Sequence, residues 1–124
     1  MLLDSNILIY AADGAVPELD AIISHQGISI ASVTRIETLG YHKLKPHQKT
    51  WLECILGRIQ TFALSEPVII RAIELRQERK MSLGDSIIAA TALMHGRKLV
   101  TRNVADFEHI AGLEIINPFP DNPA

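Results

Sequence analysis

Apolar residues along this chain come in two kinds of run: short blocks of strand length, and longer stretches in which they recur at helical spacing. Met1–Leu3 is the first strand-like block and ends on Asp4. Ser5–Ala12 reads as a helix that Asp13-Gly14 breaks. Val16–Gln26 carries Val16, Leu19, Ile22 and Ile23 at near-helical spacing, with Pro17 suited to a first turn and Gly27 at the end. Ile28–Ala31 is the second strand; a helix opened by Ser32 or Thr34 follows to about Leu44, and another runs from Pro46 to about Gln60. Thr61–Leu64 is the third strand. Glu66–Lys80 is helical, with Val68, Ala72 and Leu75 on one face. Ser82 caps a helix that reaches His95 and stops at Gly96. Lys98–Thr101 is the fourth strand, Asn103 starts a short helix ending near Gly112, and Leu113–Ile116 is the last strand before Pro118 and Pro120.

Strand-like runs that alternate with helices predict an α/β fold with a mainly parallel sheet of about five strands in one domain, 1–124. The segment Ser86–Met94 is apolar nearly all round, as in a helix buried on more than one side, and Ala89, Ala90 and Ala92 let it approach the sheet closely. The 48% apolar content supports a core without staples. Cys54 is the single cysteine, which excludes an internal disulfide and a cysteine-based zinc site; its apolar neighbours predict a small buried hydrophobe. No apolar stretch approaches the ~20 residues of a membrane span, and the start has no basic segment of a signal peptide. The expectation is a soluble, cytoplasmic protein.

Ligands of parallel α/β sheets bind beyond the carboxyl ends of the strands. Asp4 directly follows the first strand, Glu37 lies in the first turns of the helix after the second, and Asp106 follows the fourth by a few residues. Asp85 opens a helix that leads into the fourth strand, so that helix begins at the same edge. Each acid also has a capping reading: Asp4 as an N-cap, Thr34 to Glu37 as a capping box, Asp85 and Asp106 as first-turn acids. Four together beside apolar runs favour a site. Clustered carboxylates raise each other's pKa, and a hard cation such as Mg2+ or Mn2+ neutralises them. The five histidines, His25, His42, His47, His95 and His109, are scattered and read as surface or helix-end residues. Arg102 lies beside the acids, and Lys43, Lys45 and Lys49 cluster around the break between two helices; each also reads as part of a solvated face.

At these residues the sequence resembles the PIN-domain family, and within it the VapC-type toxins of toxin–antitoxin pairs. The resemblance rests on Leu2-Leu3-Asp4-Ser5-Asn6-Ile7-Leu8-Ile9, Ser32-Val33-Thr34-Arg35-Ile36-Glu37-Thr38-Leu39, Leu83-Gly84-Asp85-Ser86-Ile87-Ile88-Ala89-Ala90 and Leu99-Val100-Thr101-Arg102-Asn103-Val104-Ala105-Asp106-Phe107, in that order along the whole chain. The closing Ile115-Ile116-Asn117-Pro118-Phe119 also fits, whereas Ser5 stands where the family commonly has Thr. The resemblance implies an α/β/α sandwich and hydrolysis of RNA assisted by one or two Mg2+ or Mn2+ ions. Asp4, Asp85 and Asp106 would be ligands, Glu37 a ligand or the holder of the attacking water, and Asn6, Thr101 and Asn103 would orient the acids. It also implies a VapB-like antitoxin, a homodimer and a higher assembly of the two.

The formal charge of −2 is unusual for a nucleic-acid binder, but two bound divalent ions would make it −2 + 4 = +2. Three other readings compete. A phosphoaspartyl enzyme built on Asp4 would want a second Asp at position 6, which is Asn6. A non-catalytic PIN module would lack one of the acids, and none is missing. A DNA nuclease on the same fold is barely separable by sequence. The apolar residues Trp51, Leu52, Ile55, Leu56 and Ile59 of one helix, with Ile36, Leu39, Tyr41 and Leu44 before it, predict an uncovered face for a second copy or an antitoxin helix.

Overall fold

In the computed structural model, which describes residues 1–14 and 16–119, the two residues of β1 (Leu2–Leu3) are fully buried and belong to opposite cores. The period-2 alternation of a strand explains this, and the same alternation runs across the sheet. Leu2, Ala31 of β2 (Ser29–Ala31) and Leu99 of β4 (Leu99–Val100) join one core; Leu3, Ile30 and Val100 join the other. With β3 (Gln60–Phe62) and β5 (Ile115–Ile116) they form a five-stranded, wholly parallel sheet in the order β3-β2-β1-β4-β5.

A parallel sheet needs cover on both faces. On one face pack α5 (Glu66–Glu78), α6 (Leu83–Met94), Phe107 and Ile110; on the other pack α1 (Ser5–Asp13), α2 (Glu18–Ile23) and α4 (Pro46–Leu56). The result is the three-layer α/β/α sandwich. The seven residues Ser86–Ala92 of α6 are all buried, because α5 covers the side that the sheet does not. α3 (Ser32–Leu39) follows β2 without a loop and packs against α1, α4 and α6.

Several elements are shorter than the periodicity predicts. α2 stops at Ile23 because the chain turns: His25 donates its backbone N–H to Ile22, and its Nδ1 accepts from Gly27 N. α3 ends at Leu39 rather than Leu44, since Gly40 closes it and Tyr41 to Leu44 form a turn. α4 ends before Gly57, which frees Gln60 to pair with Ser29 and start β3 one residue early. Between Asn103 and Gly112 there is a single 3-10 turn, Val104–Asp106, anchored by the fully buried Phe107. Pro120 lies outside the described residues.

Cys54 is exposed, contrary to expectation. The buried residues of α4 are Gln48, Leu52 and Ile55, one helical stripe, and position 54 falls off it. The same stripe narrows the predicted apolar face: Leu52 and Ile55 belong to the core, and of that face Ile36 and Tyr41 are exposed, at 73% and 37%.

Because Phe107 fixes the turn that carries Asp106, Phe107→Ala should destabilise the fold by about 3–5 kcal/mol. Equilibrium urea unfolding reads this directly, and a loss below about 1 kcal/mol would show that the turn is not anchored by this ring.

Candidate active site

The register of β1 on β4 sets the first acid in place. Leu3 pairs with Val100, so Asp4 and Thr101 emerge side by side at the carboxyl edge. Asp4 N donates to Val100 O at 2.9 Å, and Thr101 Oγ1 donates to Asp4 Oδ2 at 2.8 Å. The other carboxylate oxygen accepts from Ser5 N at 2.7 Å. Asp4 is thus the N-cap of α1 as well as a site residue, and it is only 4% exposed. Thr101 Oγ1 in turn accepts from the backbone N–H of Asn103 at 3.0 Å, so Asn103 contributes through its backbone.

The capping box expected at Glu37 does not form. α3 begins at Ser32, with Ala31 as N-cap and no side-chain cap, so Glu37 lies in the second turn. Its carboxylate turns instead across to α1, where Ser5 Oγ donates to Oε1 at 2.6 Å. A charge-assisted bond this short holds the carboxylate firmly. Gly84 completes the fit, because a Cβ there would collide with the Glu37 carboxylate and come within 3.1 Å of its Cδ. Asp85 stands in the first turn of α6, whose N-cap Ser82 accepts from Asp85 N at 3.1 Å. Asp106 ends the 3-10 turn and is exposed.

All four acids lie within one electrostatic field. Burial raises the Asp4 carboxyl above its ordinary value; the bonds from Thr101 and Ser5 oppose this, and Glu37 and Asp106 add to the rise. Asp85 is pushed up to about 6, first by burial and then by the charges of Asp4 and Asp106, with Ser82 acting the other way and Glu37 adding a smaller push. Yet among the described residues no three His, Cys, Asp or Glu side chains converge into a ready-made ion cage. Asp4 and Glu37 each have hydroxyl partners of their own, and like charges keep apart. The donor chemistry, oxygen throughout, still fits a hard divalent cation. Asp106 is an exposed carboxylate with room to rotate, while Asp4 and, through Ser5, Glu37 are held in place.

Asn6 lines the cleft of about 360 Å3 that also contains Asp4, Tyr10, Glu37, Tyr41 and Asp85, but no recorded hydrogen bond ties it to an acid. Arg102 lies over the rings of Phe119 and Tyr10, at 4.5 and 5.4 Å from their centroids. Lys43, Lys45 and Lys49 are exposed. His25, His42, His47 and His95 are exposed as expected, whereas both ring nitrogens of His109 are shielded and, among the described residues, unpartnered. Ser5 and Gly84 are the residues whose roles the motifs did not reveal; their adjacency to Asp4 and Asp85 was the only signal. A separate cavity of about 540 Å3, lined by His25, Arg58 and Arg97 among others, opens at the amino ends of the strands, away from the acids.

The sequence profile of the PIN domain matches residues 1–113. Ribonuclease VapC2 of Rickettsia felis is 27% identical over 94% of this chain and 96% of its own length. Ribonuclease VapC1 of the same organism is 44% identical, but the shared stretch covers 37% of this chain and 36% of that protein. A chain in a toxin–antitoxin complex from Klebsiella pneumoniae has a similar fold, with a TM-score of 0.80 and 32% identity over 95% of this chain and 97% of that one.

The raised acids make a signed pH prediction. A carboxyl with a higher pKa in the folded state takes up protons on folding, so its contribution to stability is complete below the unfolded value of 3.8 and is lost as pH rises through about 6. Without divalent ions, the Tm should therefore fall between pH 4 and pH 7, and Asp85→Asn should flatten that fall. Identical pH profiles for the two proteins would show that Asp85 is not strained by its neighbours.

Proposed function

The chain belongs to the PIN-domain family, and from that premise we propose that it is a Mg2+- or Mn2+-dependent endoribonuclease, the toxin of a VapBC-type toxin–antitoxin pair. The observation that carries the reading is the edge of the sheet where Asp4, Glu37 and Asp85 line one cleft and Asp85 and Asp106 the adjoining one, with Asp4 held rigidly among them. The names of the relatives, two ribonucleases and a toxin–antitoxin complex, point the same way.

In this reading Asp4, Asp85 and Asp106 hold one or two ions, and Glu37 is a further ligand or holds the attacking water. A bound divalent ion would supply a Lewis acid for the phosphoryl oxygen and a more acidic water. The chain's own residues do the positioning. Thr101 and Ser5 N fix both oxygens of Asp4, so that its carboxylate needs no reorganisation. Ser5 Oγ aims Glu37, and Gly84 leaves the space that its other oxygen fills. Asn6 offers an amide to the substrate side of the cleft. Two ions would also turn the formal charge from −2 to −2 + 4 = +2, which suits an RNA substrate.

A partner surface adjoins the acids. An open apolar cleft of about 630 Å3 is lined by Val33, Ile36, Leu39, Leu64, Leu83 and Ile87. Ile36 and Leu83, 73% and 62% exposed, flank the Glu37–Gly84 contact. An amphipathic helix of a VapB-like antitoxin laid there would cover this apolar surface and reach the carboxylates with a basic side chain. The homodimer and its assembly with the antitoxin belong to the same proposal. Among the described residues no helix is long and apolar enough to cross a membrane.

Asp4→Asn and Asp85→Asn should each reduce Mg2+-dependent RNA cleavage by about 100-fold or more, with the fold retained. Thr101→Val, which frees Asp4 to move, should reduce it by about 10- to 100-fold. Gel assays of single-stranded RNA, paired with circular dichroism, check both; full activity in Asp4→Asn sinks the assignment.

Millimolar Mg2+ or Mn2+ should raise the Tm by mass action, and EDTA should abolish both that rise and the cleavage without unfolding the chain. Indifference of Tm and activity to EDTA would remove the metal from the proposal. Co-expression with the adjacent reading frame, followed by light scattering, tests the partner and the dimer.

A further inference from the structure

Asp85 is a wall of two clefts, and their linings differ. The first contains Asp4 and Glu37 and offers two aromatic rings, Tyr10 and Tyr41. The second, of about 440 Å3, lies between the end of α5 and the 3-10 turn and is lined by Arg79, Lys80, Ser82, Asp85, Asp106 and His109. Arg79 and Lys80 are exposed, and among the described residues neither forms a salt bridge. The segment that carries them is fastened by Arg76, whose Nε donates to Met81 O at 3.3 Å. His109 contributes a ring whose two nitrogens are shielded from solvent and, among the described residues, have no hydrogen-bond partner. Buried polar atoms are ordinarily satisfied, so such a ring beside two free cations marks a place where an oxygen-rich anion would complete the bonding.

Resting on the nuclease reading, we infer that this second cleft is the subsite for the phosphate next to the scissile one. An RNA strand crosses the edge of the sheet with the scissile phosphodiester at Asp85. Its neighbouring phosphate lies between Arg79 and Lys80, where a turn of the half-buried His109 ring brings an N–H to a phosphate oxygen. On the other side a following base stacks on the exposed ring of Tyr41, while Arg102 already lies over Tyr10. Stacking on Tyr41 requires an unpaired base, so the bound strand is single there. The division of labour follows from the linings: cations take charge on one side of the acids, and a π-face takes a base on the other. It also places attractive charge directly beside four acids that would otherwise repel the substrate.

The test measures binding apart from cleavage. In an Asp4→Asn background, the Kd of a fluorescein-labelled, unstructured ten-nucleotide RNA is followed by anisotropy across a salt series. Adding Arg79→Ala and Lys80→Ala should raise Kd by about tenfold and flatten the slope of log K against log salt by about 0.7, the share of one phosphate on a single strand. His109→Phe, which keeps the ring volume and loses both nitrogens, should raise Kd by several-fold with little change in slope. Lys43→Ala with Lys49→Ala removes the same charge elsewhere and should change Kd less than threefold. In the active protein, the Arg79–Lys80 pair of substitutions should raise KM for the ten-nucleotide RNA and leave kcat for bis-p-nitrophenyl phosphate unchanged, since that ester is too short to reach the cleft. An unchanged Kd and slope, or an equal loss in the Lys43–Lys49 control, overturns the subsite. Failure of the unsubstituted protein to cleave RNA, with Kd still dependent on Arg79 and Lys80, overturns the nuclease reading and keeps the subsite.

Discussion

The Leu3–Val100 register is the constraint from which the rest of the site follows. It brings the residues after two adjacent parallel strands together, so that an acid meets a hydroxyl at the sheet's edge. Asp4 is nearly inaccessible, and a buried carboxylate is tolerable only if its lone pairs are used. Thr101 and Ser5 N use one oxygen each. A slip of one residue would send Leu2 and Leu3 to the wrong cores and separate Asp4 from Thr101, so the same apolar packing that selects the register also builds the acid.

Around this fixed acid the structure accepts repulsion that folding alone would avoid. Asp85 carries a carboxyl pushed up to about 6, mostly by burial and by its acidic neighbours. The surrounding scaffold is rigid enough to hold it. α6 is packed on all sides along Ser86–Ala92, and its N-terminus is capped by Ser82. Small alanines let the helix lie close to the sheet, which carries Asp85 to the same edge as Asp4. Repulsion among the acids at this edge and dense packing behind it are two parts of one arrangement.

Much of this was legible before any coordinates. Alternating strand and helix runs specified the parallel sheet, and the four acids fell on one edge because each followed a strand or opened a helix pointing back to it. The ends of elements were less legible. Helical spacing at Val16, Leu19, Ile22 and Ile23 predicts a helix to Gln26, but local hydrogen bonds such as Gly27 N to His25 Nδ1 end α2 sooner. Cys54 was misjudged because an apolar neighbourhood in sequence says nothing about which side of a helix a residue occupies. The Ser5–Glu37 bond was hidden for a different reason: its partners are 32 positions apart, and a serine next to an aspartate looks like an ordinary helix start. Gly84 is marked in the sequence only by its adjacency to Asp85, because the Glu37 carboxylate that lies against it comes from a helix 47 positions earlier.

The net charge of −2 shows why a sum over the chain is a poor guide to binding. What an approaching phosphate senses is set within about one Debye length, roughly 8–10 Å at moderate salt. There, the acids are concentrated on a narrow edge, with Arg79 and Lys80 in the cleft on one side. Arg102 lies on Phe119 and Tyr10 on the other. Distant acids such as Glu18, Asp20 and Glu74 lower the total but lie on other helices, in α2 and α5. In the proposed reading, an edge with acids in the middle and cations at its flanks would hold a polyanion by its neighbouring phosphates while leaving one phosphodiester among carboxylates, where a divalent ion would be needed to make the contact favourable. The mildly acidic composition and a nucleic-acid substrate are therefore compatible, provided that charge is ordered along the path of the strand.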